Sequence, residues 1–221
     1  MPYELKPGDV ALMDFPLDRQ SSFLQGPAFA PGRIREALHS GAANLTAEDG
    51  TDLGASTQFR DSGDLDVFEM RGQEPIDRIE AEAAKRIATG ARLLSLGGDH
   101  SVAYPLIKAH ADRYEGLNIL HIDSHPDLYD TQDIGPLGHG CPFARVMETC
   151  PVKRLVQVGI RTMNAHQREQ ADRFGVEVID MRSWSPDLQS SFEGPVYLSL
   201  DLDALDPAFA PGVSHHEPGG L

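Results

Sequence analysis

Short apolar segments alternate along the chain with longer amphipathic ones. The apolar segments, which we predict to be β-strands, are Val10–Phe15, Leu65–Phe68, Leu93–Leu96, Leu117–Ile122, Arg154–Gly159, Val176–Ile179 and Val196–Leu200. Most of them lack the strict polar alternation of a half-exposed strand, which favours strands that are buried on both faces of a parallel sheet.

The segments between these strands predict helices and one long loop. Pro75–Thr89 carries apolar residues at helical spacing and ends at Gly90, and Val102–Tyr114 and Ala165–Phe174 also predict helices. Asn44–Gly63 is polar and predicts a surface loop. The repeated order of strand and helix predicts a layered α/β fold, with residues 1–221 in a single domain.

Composition and charge narrow the class of protein. The 221 residues include 19 Lys and Arg against 34 Asp and Glu, which gives a net charge of −15. We therefore expect binding neither to nucleic acid nor to an anionic membrane surface, since both favour clustered positive charge. The N-terminus has no basic segment followed by an apolar one, so we expect a cytoplasmic protein. Only two cysteines are present, too few for a four-cysteine zinc site.

Three predicted strands are followed directly by His or Asp. Gly97-Gly98-Asp99-His100-Ser101 follows one strand, Asp123-Ser124-His125-Pro126-Asp127 another, and Asp201-Leu202-Asp203 a third. Ligands of open α/β sheets lie beyond the carboxyl ends of the strands, so these residues are expected at the same edge. Each piece also has a plainer interpretation, because Asp after a strand is often a helix N-cap and Gly-Gly a tight turn.

The spacing of these residues favours a metal site. Residues two apart on an extended backbone share a face, so each run can direct its side chains to one point. His100 and the five spaced residues supply four carboxylates and two imidazoles, enough for two ions about 3.5–4 Å apart if two carboxylates bridge them. Oxygen-rich ligation with some imidazole and no thiolate favours a hard ion such as Mn²⁺.

Six motifs in order give the chain a family resemblance. They are DSGD at 61–64, GGDHS at 97–101, HIDSHPD at 121–127, LGHGCPFARV at 137–146, LVQVGIR at 155–161 and SLDLDALDP at 199–207. The set resembles the ureohydrolases, the arginase and agmatinase family, and residues 203–221 are most similar to the plant-type arginase and bacterial agmatinase branch. The resemblance implies a three-layer α/β fold with a mostly parallel central sheet, two Mn²⁺ ions, a homo-oligomer, and hydrolysis of a small cationic guanidino substrate to urea and an amine.

The resemblance also assigns roles to individual residues. One Mn²⁺ would be held by His100, Asp123, Asp127 and Asp201, and the other by Asp123, His125, Asp201 and Asp203. A guanidinium carbon is a poor electrophile, and two ions would lower the pKa of a bridging water so that hydroxide can attack it. Asp127 would protonate the departing amine, and His139 would match the family's proton-shuttle histidine.

The chain departs from the family pattern at two places. In the family an acidic residue that binds the guanidinium, a last strand and a last helix follow the Gly-Gly-Leu at 219–221, so we expect this chain to be an incomplete part of the fold. The stretch Thr162–Gln167 has no carboxylate of the kind that holds the α-amino group in animal-type arginases. This favours agmatine over arginine.

Three alternatives stay open at the level of the sequence. The protein could be an arginase, which converts arginine to ornithine and urea. It could be a truncated subunit that binds metal without catalysis. It could also be a single-zinc deacetylase, although one ion would leave several carboxylates crowded and unpaired.

Overall fold

The strands of the protein form two parallel sheets in the computed structural model, which describes residues 4–42 and 44–221. The three-stranded sheet has the order β2-β1-β3 and contains β1 (Val10–Phe15), β2 (Phe59–Asp64) and β3 (Arg92–Gly97). The four-stranded sheet has the order β6-β5-β4-β7 and contains β4 (Leu117–Ile122), β5 (Val152–Ile160), β6 (Glu177–Asp180) and β7 (Val196–Leu200). All of these strand pairs are parallel, which confirms the predicted α/β class. Residues 1–3 of the N-terminal segment lie outside the described residues.

In the described part of the chain, five α-helices connect the strands. They are α1 (Ala30–His39), α2 (Gln73–Ala88), α3 (Ala103–Ala111), α4 (Pro142–Thr149) and α5 (Ala165–Phe174). Short 3₁₀ turns at His100–Val102 and Leu202–Ala204 follow β3 and β7. The patterns predict α2, α3 and α5 but miss α1 and α4. None of the helices in the described part of the chain is both long and apolar enough to cross a membrane.

The prediction of a strand at Leu65–Phe68 is wrong. The strand lies one segment earlier, at Phe59–Asp64, inside part of the predicted loop. Leu65 and Val67 are buried because they pack in the hydrophobic core beside Phe15 and Ile79, and their apolar character reflects that packing. The true strand lies at the edge of its sheet and carries polar residues, so it has no apolar pattern.

The two sheets meet where β3 and β7 end. Nε2 of His100, which follows β3, lies 2.9 Å from Oγ of Ser199 on β7. Because β4 pairs directly with β7, the carboxyl ends of β3, β4 and β7 lie together at one edge of the molecule. The sequence-predicted metal ligands follow these three strand ends.

Candidate metal centre

His100 projects from the turn after β3 into a group of aspartates. The side chain of Asp99 accepts a hydrogen bond from the backbone N–H of Ser101 and so caps the 3₁₀ turn that carries His100. Nδ1 of His100 lies 3.0 Å from an oxygen of Asp123, 3.0 Å from one of Asp127 and 3.4 Å from one of Asp201.

The segment after β4 supplies the largest share of the site. The N–H of Asp123 continues the ladder by donating to the carbonyl of Val158, and its buried carboxylate accepts from the N–H of His125 at 2.7 Å. Asp127 has a φ of +49°, the only positive value among the described non-glycine residues. Asp tolerates this region better than most residues, and the turn directs its carboxylate back to His100.

The segment after β7 completes the cluster. Oδ1 of Asp201 accepts from the N–H of Asp203 at 2.9 Å, which caps the 3₁₀ turn Leu202–Ala204. Oδ2 of Asp203 lies 3.1 Å from Nδ1 of His125. Its other oxygen accepts a 2.7 Å hydrogen bond from the hydroxyl of Ser124.

The structure brings together the six side chains that the sequence predicts as ligands. Potential ligand atoms of Asp123, His125 and Asp203 all lie within 4.8 Å of one another, and Asp123 also belongs to a second such group with His100 and His121. Asp123 therefore stands between two halves of the cluster, as a bridging carboxylate would. Asp201 contacts the half that contains His100.

The protonation states show how crowded the carboxylates are. Burial raises the pKa of Asp201 to about 8, and the negative charges of Asp123 and Asp203 add to the shift. Burial alone would lower the pKa of His125, but the carboxylates of Asp123 and Asp203 raise it to about 11. Burial likewise opposes protonation of His100, yet Asp123 and Asp127 hold its pKa well above 6.5.

This donor set fits divalent metal ions. Without a cation, protons on His100, His125 and Asp201 offset the negative charge of the cluster, as these pKa directions show. Four carboxylates and two imidazoles without a thiolate match the preference of a hard ion such as Mn²⁺. The side chains of Asp123 and His100 are 1% and 8% exposed and that of Asp201 is 31% exposed, so water and substrate can approach the cluster beside Asp201.

His121 supports the cluster. The side-chain amide of Gln157 donates both to Nδ1 of His121 and to the carbonyl of Pro126. With Nδ1 as acceptor, Nε2 carries the proton and donates to Asp123 at 2.7 Å. The ring also stacks on Phe143, with centroids 3.8 Å apart, so His121 orients Asp123.

His139 lies beside the cluster. Its N–H donates to the carbonyl of Gln20 at 3.0 Å, and its Nε2 lies 2.8 Å from the hydroxyl of Ser22. Its ring centroid is 5.5 Å from that of His215, which is 5.6 Å from that of His125. Burial lowers the pKa of His139, so its ring is neutral at pH 7.

Sequence reasoning missed two residues at the site. A carboxylate oxygen of Glu217 lies 3.6 Å from Nε2 of His125. The guanidinium of Arg161 donates to several backbone carbonyls, among them those of Asp203 at 2.7 Å and Glu217 at 2.8 Å. Arg161 lies in the LVQVGIR motif, whereas Glu217 lies in a Pro- and Gly-rich loop with no spacing pattern to mark it.

A family profile, curated relatives and solved structures are similar to this chain over almost all of its length. The profile of the arginase family matches residues 8–221. Arginase 1, mitochondrial, of Arabidopsis thaliana is 45% identical over 96% of this chain and 66% of its own length. Agmatinase of Bacillus anthracis is 32% identical over 96% of this chain and 74% of its own length. The solved structure of an arginase from Medicago truncatula superimposes with a TM-score of 0.89 at 40% identity, over 96% of this chain and 71% of that one. The chain thus spans about two thirds of the length of the plant relative.

Proposed function

Because the chain belongs to the arginase family, we propose that it is a metal-dependent amidinohydrolase that converts a linear guanidino compound to urea and an amine. The observation that carries the proposal is the convergence of His100, His125 and four aspartates at the ends of three strands from two sheets. We propose the six as ligands of two Mn²⁺ ions, with Asp123 and Asp201 as the bridging carboxylates.

The remaining groups have separate tasks in this reaction. Two divalent ions would supply a nucleophile at neutral pH by lowering the pKa of water. Asp127 is turned toward the cluster. Its carboxylate takes the proton that the attacking water loses and gives it to the departing nitrogen as the C–N bond breaks, because an amine leaves readily only when it is protonated. His139 is neutral at pH 7 and carries a proton between solvent and the site, since its ring lies at the edge of the cluster.

Two observations bear on the substrate, and they do not favour the same compound. The absence of a carboxylate in Thr162–Gln167 favours agmatine. The plant relative at 45% identity is named an arginase, whereas the agmatinase matches at 32%, so the comparisons lend agmatine no support. We propose arginine as the first substrate to test and agmatine as the second.

The test is urea release by the Mn²⁺-loaded protein, with arginine and agmatine side by side. We expect urea from one of them, and loss of that activity in Asp203→Asn. The control is Asp133→Asn, which changes an exposed aspartate of the loop between Asp127 and His139. If the wild-type protein releases no urea from either substrate while Mn²⁺ remains bound, the proposal is contradicted.

Assembly and location are proposed from the sequence. A homo-oligomer is implied by the resemblance, and sedimentation velocity measures it. A cytoplasmic location is expected from the N-terminal pattern, whereas the name of the Arabidopsis relative places that protein in mitochondria. Fractionation of the source cells tests the location.

A further inference from the structure

Asp99 is a buried carboxylate to which the proposed reaction gives no role. It precedes His100, is 5% exposed, and accepts four hydrogen bonds that divide between its two oxygens. Oδ1 accepts from the N–H and the hydroxyl of Ser101, at 3.1 and 2.5 Å. Oδ2 accepts from the N–H of Gln20 at 3.0 Å and from the hydroxyl of Ser21 at 3.1 Å.

The Oδ1 bonds hold the segment that carries His100. They cap the 3₁₀ turn His100–Val102, which leads into α3. This turn directs Nδ1 of His100 to the aspartates and Nε2 to Ser199. Oδ1 of Asp99 therefore fixes the backbone from which a proposed metal ligand projects.

The Oδ2 bonds hold a different segment, residues 17–22, which we call the strap. The strap follows β1 and runs beside the Gly98-Asp99 backbone, where the N–H of Asp99 donates to the carbonyl of Leu17 at 2.7 Å. The carbonyl of Gln20 in the strap accepts from the N–H of His139, and the hydroxyl of Ser22 contacts the His139 ring. The strap thus connects Oδ2 of Asp99 to both the backbone and the ring of His139.

We propose that Asp99 is a positioning residue that sets His100 and His139 in place relative to one another. The inference rests on the proposed function, since it takes its meaning from the roles of those two histidines. Asp99 itself contacts no reacting group. Because its two oxygens serve two segments, the two effects can be separated by removing one hydroxyl donor at a time.

Three variants and one control test the inference. Ser101→Ala removes a donor to Oδ1, and Ser21→Ala removes a donor to Oδ2. Asp99→Asn replaces one acceptor oxygen by an NH₂ group and so disturbs one pair of bonds outright. The control is Ser183→Ala, which deletes the same kind of bond, from a serine hydroxyl to Asp180, in an exposed turn after β6.

Three readouts are compared: Mn²⁺ affinity by calorimetry, the ¹⁵N signals of the histidine rings in the metal-free protein, and kcat with KM. Partners of ligands typically contribute about 10–100-fold to metal affinity or activity. On that scale, Ser101→Ala should weaken Mn²⁺ binding about 10-fold and leave the His139 signals in place. Ser21→Ala should shift the His139 signals and lower kcat about 10-fold, with KM and Mn²⁺ affinity unchanged. Asp99→Asn should change at least one of these readouts by more than the serine variants do. The control, Ser183→Ala, should change none of them.

The outcomes that overturn the inference differ from those that overturn the proposed function. Unchanged His139 signals in Ser21→Ala, or unchanged Mn²⁺ affinity in Ser101→Ala, would remove Asp99 from its positioning role. A wild-type protein that releases no urea would contradict the proposed function, while the calorimetry and NMR still decide the role of Asp99. If Asp99→Asn fails to fold, the two serine variants decide it.

Discussion

At the scale of single residues, His139 is the clearest target for mutation. We expect His139→Asn to lower kcat for urea release by about 100-fold or more, because a positioned acid–base group typically contributes about 10²–10⁴-fold. Mn²⁺ affinity should change little, since the His139 ring lies against Ser22 and His215 and is not one of the six proposed ligands. A steady-state urea assay with calorimetry in parallel measures both quantities.

Two controls accompany this variant. His166→Asn changes a half-exposed histidine that pairs with Asp130, and should leave kcat as it is. Added imidazole should restore part of the activity of His139→Asn, because a free base can carry the missing proton. Equal kcat values for His139→Asn and the wild type would exclude the shuttle role.

Spacing along a strand makes part of the site predictable. Asp123, His125 and Asp127 follow a buried strand at intervals of two, so their place at one strand end can be expected from the amino-acid sequence alone. The turn that directs Asp127 to His100, with a φ of +49°, is not visible in that spacing. Glu217 cannot be found in this way. It reaches His125 because the chain after β7 folds back, an arrangement held by a hydrogen bond from the N–H of Gly219 to the carboxylate of Asp206.

At the scale of secondary-structure elements, the close approach of the strap to the turn after β3 depends on Gly98. A Cβ at this position would overlap the carbonyl oxygen of Leu17 in the strap. We expect Gly98→Ala to reduce the free energy of unfolding by about 1–3 kcal/mol, the usual cost of overpacking, as measured by urea denaturation. Gly212→Ala is the matched control, because a Cβ there meets nothing within 4 Å. Equal stability of the two variants would contradict the close approach.

Helix α1 is tied to the first sheet by Arg35. Its guanidinium donates to Asp14 on β1 at 2.7 Å, and to Asp61 and the carbonyl of Gly63 on β2. Asp14 is 1% exposed. Arg35→Met would leave this carboxylate buried without its cation, and we expect the free energy of unfolding to fall by about 3 kcal/mol. Thermal and chemical denaturation measure the loss.

The pH dependence of the stability loss in Arg35→Met distinguishes the unpaired charge of Asp14 from lost packing. Burial already raises the pKa of Asp14 above its ordinary value, although Arg35 opposes the shift. The folded state therefore binds this proton more tightly than the unfolded state, and ionisation of Asp14 destabilises the fold as pH rises. Without Arg35 the pKa rises further, so the penalty should be smaller near about pH 4 than near about pH 7. A penalty that does not vary with pH, or that Asp14→Asn fails to reduce, would rule out the charge as its cause.

The wrong strand prediction at Leu65–Phe68, next to β2, shows that a hydrophobic pattern does not identify a strand by itself. The patterns predict Val10–Phe15 and Leu117–Ile122 with correct bounds because each is a buried strand inside its sheet. Phe59–Asp64 is an edge strand whose polar residues bind Arg35, and Leu65 and Val67 are buried outside any strand. The edge strand β7 is also predicted with correct bounds, because its residues are apolar although several are exposed. An apolar run therefore marks either a strand or a buried segment outside one, and a polar edge strand such as β2 gives no such signal.

At the scale of the whole molecule, the proposed metal site connects the two sheets. His100 follows a strand of the three-stranded sheet, whereas the aspartates follow β4 and β7 of the four-stranded one. Metal ions at this position would neutralise the crowded carboxylates and link the sheets. Metal loading should therefore stabilise the entire fold.

We expect Mn²⁺ at about 100 times its Kd to raise the free energy of unfolding by about 2.7 kcal/mol for each ion bound, and EDTA to reverse the change. Urea denaturation with and without the metal measures it. Mg²⁺ should stabilise less at the same concentration, because two of the six donors are imidazoles and Mg²⁺ prefers oxygen ligands. Asp203→Asn should lose part of the gain, whereas Asp133→Asn should keep all of it, since its side chain lies in an exposed loop. An unfolding midpoint that Mn²⁺ leaves unchanged would mean that the six side chains converge without holding an ion, because ligands from both sheets cannot bind a metal without resisting their separation.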